Sequence, residues 1–225
     1  MNNNILILGD SHVNIYRFSK ILYENFNVLK IIHTDCEDVN RNGKYIPYLM
    51  NTISNKGDIY LKHFIEKYSD TNYIMFIFGE PDVRIHFDKQ INSLNRNEDE
   101  VIDTLAKNYI NLLIKITPNN IKIIIRYILP QRIYSMYGTT YTPKGDILDR
   151  VRYTNKMNFK LKSLCEENNI LFFDNYEKYI LTNIDGSLKD EYCDGFTHYN
   201  FNSIIYIDNE IKTFLSNILG EAVKK

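Results

Sequence analysis

Ile5-Leu6-Ile7-Leu8-Gly9-Asp10-Ser11-His12 is the stretch from which the fold can be read. Four consecutive apolar residues closed by a glycine read as a strand buried on both faces, the habit of parallel sheets. From Ser11 to Tyr23 the residues Val13, Tyr16, Phe18, Ile21 and Leu22 fall on roughly one helical face. The first unit is therefore strand, tight turn, helix. Repetition of that unit builds right-handed β-α-β crossovers and a parallel sheet.

The unit does repeat along the chain. Val28 to Ile32 predicts a second strand, followed by an irregular stretch, residues 34–56, with a short helix near Tyr48 to Ile53. Ile59 to Tyr68 predicts a helix, and Tyr73 to Phe78 a third strand that stops at Gly79. Glu98 to Ile116 predicts a helix, with acidic residues in its first turn where the helix dipole favours them, and Pro118 ends it. Ile121 to Leu129 predicts the fourth strand, closed by Pro130, then a Tyr-, Thr- and Gly-rich loop to about Gly145. A helix from Ile147 to Glu167, a fifth strand from Ile170 to Phe173, a long loop from Asp174 to Thr197 and a final helix from Asn202 to Leu219 complete the pattern. The expectation is an α/β, three-layer α/β/α sandwich on a five-stranded parallel sheet, flavodoxin-like in outline. No linker, composition break or internal repeat divides residues 1–225, so one domain is expected.

Composition narrows the function. At 225 residues, 44% hydrophobic and 24% charged, the chain can bury a core without metal or disulfide staples, which argues against disorder and fibre. The apolar runs fall well short of the roughly 20 residues a membrane span needs. With 27 basic against 28 acidic residues there is no global charge footprint for nucleic acid. Cys36, Cys165 and Cys193 are far apart and form no C-x-x-C pair, which disfavours a cysteine zinc site and suits a reducing compartment. The first residues lack the basic start and cleavage site of a secretory signal, so a cytoplasmic location is expected. His33, His63 and His86 show no metal-ligand spacing.

In open parallel sheets ligands bind at the carboxyl ends of the strands. Gly9-Asp10-Ser11-His12 follows the first strand, Gly79-Glu80-Pro81-Asp82 the third, and Asp194 and His198 lie in the loop before the last helix. A serine at a helix start sits where the dipole and free N–H groups can stabilise an oxyanion. Serine or aspartate there is also a routine helix cap. A serine nucleophile needs a base, and a histidine oriented by a carboxylate supplies one. Asp194 and His198 could be that pair, or an ordinary loop pair. His12 reads as structural or substrate-lining, and Cys193 as packing.

The ordered set resembles the SGNH/GDSL hydrolase superfamily. There the nucleophile lies in a G-D-S block after the first strand, a G-x-N-D block follows the third, and an Asp and His precede the last helix. The resemblance spans the chain from Ile5 to the final helix. It implies a Ser11–His198–Asp194 triad. It also implies an oxyanion or substrate-binding set drawn from Gly43 (or Gly57), Gly79, Glu80, Asp82 and Arg84. Phe78-Gly79-Glu80-Pro81-Asp82-Val83-Arg84 is similar to the F-G-E-I-D-x-R variant of an SGNH-like group associated with surface polysaccharides. Arg152-Tyr153-Thr154, Asn158, Asp185-Gly186 and Asp194-Gly195 extend that likeness.

Two residues depart from the superfamily pattern. Pro81 stands where an asparagine usually donates to the oxyanion, and proline has no donor. Three residues rather than two separate Asp194 from His198. Arg84 is the candidate substitute donor, or else an ion-pair partner of Glu80 or Asp82. Asp82 is equally a brace for the Ser11 loop. Tyr134, Tyr137 and Tyr141 could stack on sugar rings, or simply pack their loop.

The function implied is a serine esterase that removes O-acyl groups, O-acetyl foremost, from a carbohydrate or glycan, with no metal or organic cofactor required. The alternatives are an O-acyltransferase with the same triad, and a carbohydrate-binding protein that has kept the fold without the activity.

Overall fold

The computed structural model describes residues 3–34, 50, 58–132, 143–194 and 198–219. Five strands, β1 (Asn3–Gly9), β2 (Phe26–His33), β3 (Tyr73–Ile77), β4 (Lys122–Arg126) and β5 (Leu171–Phe173), form one sheet in the order β2-β1-β3-β4-β5. Every pairing is parallel. Between them run α1 (Lys20–Asn25), α2 (Asp58–Lys67), α3 (Glu98–Ile116) and α4 (Ile147–Glu167), and the short α5 (Lys178–Leu181) and α6 (Ile204–Leu219) follow β5. The predicted five-stranded α/β architecture is the one observed.

The continuous apolar strands are read alternately by the two helical layers, as a period of two requires. Leu6, Leu8, Ile74, Phe76 and Ile125 pack with Phe64, Leu105, Tyr109 and Met157 on the α2–α3–α4 side. Ile5, Ile7, Met75, Ile77 and Ile124 pack with Tyr16, Leu22, Ile207 and Phe214 on the α1–α6 side. Both faces are thus dry, which is why these strands carry no polar alternation.

Local chemistry sets the element ends. Asn97 caps α3 by accepting from the Glu100 N–H, and Asp146 caps α4 by accepting from the Leu148 N–H. The single helix expected over Ser11–Tyr23 is broken in two. A 3₁₀ helix runs from Ser11 to Phe18, and Ser19 then caps α1 through its bond to the Leu22 N–H. The buried Ser19 hydroxyl also donates to Asp208 of α6, so the break ties this layer together.

The fourth strand is shorter than expected and ends at Arg126. Strand β5 has only three residues to pair with, and Asn158 of α4 takes over the backbone beyond it. Its amide accepts from the Ile128 N–H at 2.6 Å and donates to the Ile128 carbonyl at 2.9 Å. Two π-helical turns, Asp82–Phe87 and Lys89–Ser93, precede α3, and α5 and a 3₁₀ turn at Asp190–Tyr192 interrupt the long loop. None of these was expected: α5 and the 3₁₀ turn carry too few residues for a periodic signal, and the π-helical turns, continuous over residues 80–93, do not follow the 3.6-residue period. The expected helix near Tyr48 to Ile53 lies outside the described residues except Met50.

Candidate active site

Strands β1 and β3 are neighbours at the point where the connection order reverses, and their carboxyl ends form the crevice in which ligands of such sheets bind. Gly9 ends β1. A Cβ there would lie 2.2 Å from the Ile77 carbonyl oxygen and 2.6 Å from Val13 Cγ1, so only glycine allows the chain to turn against β3. Asp10 then acts as the helix cap, accepting from the His12 N–H at 3.0 Å. With the cap supplied by Asp10, the Ser11 hydroxyl is left for another use. Ser11 is the first residue of its helix, where an N–H has no intrahelical acceptor.

Ser11 Oγ lies 2.6 Å from His198 Nε2, and His198 Nδ1 lies 2.9 Å from Asp194 Oδ2. A carboxylate only accepts, so Nδ1 carries the proton and Nε2 is the acceptor facing the Ser11 hydroxyl. Asp194 is held in turn. Its Oδ1 accepts from the His198 N–H at 3.2 Å, and its own N–H donates to the His198 carbonyl at 3.0 Å. A bridge between Cys193 and Tyr199 closes the base of this loop. The extra residue between Asp194 and His198 therefore does not keep the two side chains apart.

A second histidine and acid set lies directly behind. His12 is buried, with Nδ1 2.7 Å from Asp10 Oδ1 and Nε2 4.0 Å from Glu80. Its ring centroid is 4.8 Å from that of His198. Desolvation lowers the His198 pKa from its ordinary value, and the neighbouring His12 lowers it further, against the opposing pull of Asp194 and Glu80. A neutral imidazole is thereby favoured, the form that can take a proton.

The third block is built into the wall behind these groups. Gly79 has φ of 115°, a conformation that disfavours side chains, and a Cβ would press on Ile128 and Met50. Arg84 adopts the ion-pair alternative, its Nε donating to both Glu80 oxygens at 2.8 and 3.1 Å within a buried setting. Asp82 accepts from the Met50 N–H at 2.8 Å. Gly43, Gly57, Tyr134, Tyr137 and Tyr141 lie outside the described residues. Among the described residues, no group of three His, Cys, Asp or Glu side chains could hold a metal ion, and no helix is long and apolar enough to cross a membrane.

A groove of about 250 Å³ opens onto Ser11 and His198, with Ile15, Leu129 and Tyr199 on its walls and Phe18 and Phe201 also lining it. Sequence reasoning named Glu80 as a site residue and His12 as structural or substrate-lining, but it missed the two phenylalanines and the meeting of Asp10, His12 and Glu80.

Beneath the His198 loop, Arg126 and Glu210 form a fully buried pair at 3.1 Å. Tyr127 bonds Glu210 and also Tyr199, the residue after His198. Burial pushes the Glu210 carboxyl up to about 7 against the pull of Arg126. This network fastens α6 and the His198 loop to the end of β4.

The fold that carries this site is SGNH hydrolase-like. No family model matches the sequence, and no curated protein does. Among solved structures, a GDSL-like lipase from Bacteroides thetaiotaomicron superposes with a TM-score of 0.61 at 15% identity, over 96% of this chain and 88% of that one. An inferred acylhydrolase from Bacteroides fragilis gives 0.61 at 16% identity, over the same 96% and 88%. An aryl esterase from M. smegmatis gives 0.55 at 12% identity, over 95% of this chain and all of that one. At such identities the likeness is one of fold.

Proposed function

We propose that this protein is a serine esterase in which Ser11 is the nucleophile, His198 the general base and acid, and Asp194 the group that orients His198. The observation that carries the reading is the unbroken hydrogen-bonded line from Ser11 Oγ through His198 to Asp194. His198 takes the Ser11 proton as Oγ attacks an ester carbonyl, and then gives it to the departing alcohol. A water molecule, activated by the same imidazole, releases the acid and restores Ser11. The Ser11 N–H, at the start of its helix, is the first oxyanion donor, and Gly43 is the proposed second. Arg84, tied to Glu80, acts by holding the wall in place.

The substrate class proposed is an O-acylated carbohydrate, O-acetyl foremost. Its support is the likeness of the third block to the polysaccharide-associated SGNH-like group, a weaker warrant than the chemistry of the site. Release of acetate from O-acetylated sugars tests it. Wild type should turn over, Ser11→Ala and His198→Ala should not, and Asp194→Asn should lose roughly 10⁴-fold in kcat. Transfer of acetyl to an added sugar in preference to water would make the protein an acyltransferase.

One observation favours a second reading. Pro81 supplies no donor where the related pattern has asparagine, which suits a glycan-binding protein that has lost turnover. Glycan binding that survives Ser11→Ala, with no acetate release by either form, would establish it.

A further inference from the structure

We infer that the groove beside His198 receives the departing alcohol, and that this alcohol is a hydroxylated ring resting on Phe18 and Phe201 with its hydroxyl edge toward Asn14. The inference rests on the esterase reading and adds to it the shape of the leaving group.

The direction follows from proton bookkeeping. As Ser11 Oγ bonds to the carbonyl carbon, its proton passes to His198 Nε2. When the carbon–oxygen bond to the alcohol breaks, that same proton goes to the departing oxygen, so the alcohol leaves neutral and Ser11 is left acylated. The departing oxygen must therefore lie on the imidazole's side of Ser11. The groove on that side is bounded by the Ser11–Phe18 helix and by the residues following His198. It is the space the alcohol enters.

Its outer wall is aromatic and exposed. Phe18 is 54% and Phe201 66% accessible, yet the two rings meet edge to face with centroids 4.7 Å apart. One ends the helix that Ser11 begins, and the other stands three residues after His198. The elements that position the reacting atoms thus also position the two rings. The rings are inclined at 64°, so they form an apolar corner open to water, in which a second ring can lie on the face of one and against the edge of the other.

The polar component is equally placed. Asn14 is exposed on the same helix and lines the groove, and its side chain makes no hydrogen bond among the described residues. Asn200, also on the lining, is consumed by bonds to the Glu191 and Cys193 carbonyls and the Asn202 N–H. An aromatic bed with one open amide beside it suits a ring with an apolar face and hydroxyls at its rim. At about 250 Å³ the groove lies just under the range of drug-sized ligand pockets, room for about one ring.

The test compares three acetate esters that share the acyl group and differ in the alcohol: an acetylated methyl pyranoside, phenyl acetate and ethyl acetate. In the double variant Phe18→Ala/Phe201→Ala, KM for the pyranoside and phenyl esters should rise about 10-fold or more, with kcat and the ethyl acetate kinetics within about two-fold. Asn14→Ala should raise KM for the pyranoside alone. Equal losses on all three esters, or indifference of the pyranoside to Asn14→Ala, would overturn the inference. A second measurement does not need turnover. Ligand-observed NMR on Ser11→Ala should show the acetylated pyranoside bound, and the added Phe18→Ala and Phe201→Ala changes should abolish it. Binding unaffected by losing both rings would also overturn it. Failure of the esterase reading shows separately, as wild-type Ser11 that does not react with a fluorophosphonate.

Discussion

His12 and His198 lie with ring centroids 4.8 Å apart, yet each bonds its own carboxylate, Asp10 for His12 and Asp194 for His198. Two imidazoles at this distance disfavour each other's protonation. The pKa of His198 is lowered by burial first and by His12 second. A general base must be neutral, so the acidic limb of kcat/KM should fall below the ordinary histidine value of about 6.5. His12→Asn removes the neighbour and should move that limb to higher pH. A pH–rate profile of the two forms checks this, and a shift to lower pH contradicts it.

Gly9 should be intolerant of any side chain. The Cβ of Gly9→Ala would meet the Ile77 carbonyl, which is backbone and cannot swing aside. Overpacking of this kind costs about 1–3 kcal/mol. Displacing the β1 end also displaces Ser11. Thermal unfolding should show the stability loss, and acetate release should fall by more than the unfolded fraction explains.

Restoring a donor at position 81 should speed turnover. One oxyanion donor is worth on the order of 100- to 1,000-fold in kcat when well placed. Pro81→Asn, read as kcat on an acetate ester, should gain about 10-fold or more. No gain, with the fold intact by circular dichroism, would mean that Pro81 is not at the oxyanion position.

The Arg126–Glu210 pair should behave as a unit. Removing Glu210 leaves the buried Arg126 cation uncompensated and costs about 3–5 kcal/mol, whereas removing Arg126 lets the already raised Glu210 carboxyl take up a proton and costs less. Replacing both with methionine should cost much less than the sum of the singles. Denaturant unfolding of the four forms measures the coupling. The singles should also weaken the proposed esterase activity, since Tyr127 links the pair to Tyr199 beside His198.

Much of the fold was legible because its strands are continuous apolar runs between strongly patterned helices. The helices Glu98–Ile116 and Ile147–Glu167 occur as expected, with polar caps marking their starts. The break at Ser19 was hidden because its cause is tertiary, a hydroxyl answering Asp208 from the far end of the chain. The overlong fourth strand failed for a similar reason, since Asn158 rather than a neighbouring strand holds Ile128. At the site, the resemblance pointed to Ser11, Asp194 and His198, and the structure places the three side chains in one hydrogen-bonded line. For Arg84 the sequence offered two readings, oxyanion donor or ion-pair partner of Glu80 or Asp82, and the bond to Glu80 depends on the packing of the third block. The phenylalanine pair was hidden, since Phe18 and Phe201 lie almost the length of the chain apart.

The most direct measurement is intact mass after treatment with a fluorophosphonate, for wild type, Ser11→Ala and His198→Ala. The account predicts one adduct on wild type and none on either variant, because only a serine with a base at hydrogen-bond distance reacts rapidly. An unmodified wild type across about pH 6 to 9, where a histidine base is active, or an adduct that persists in Ser11→Ala, would contradict it.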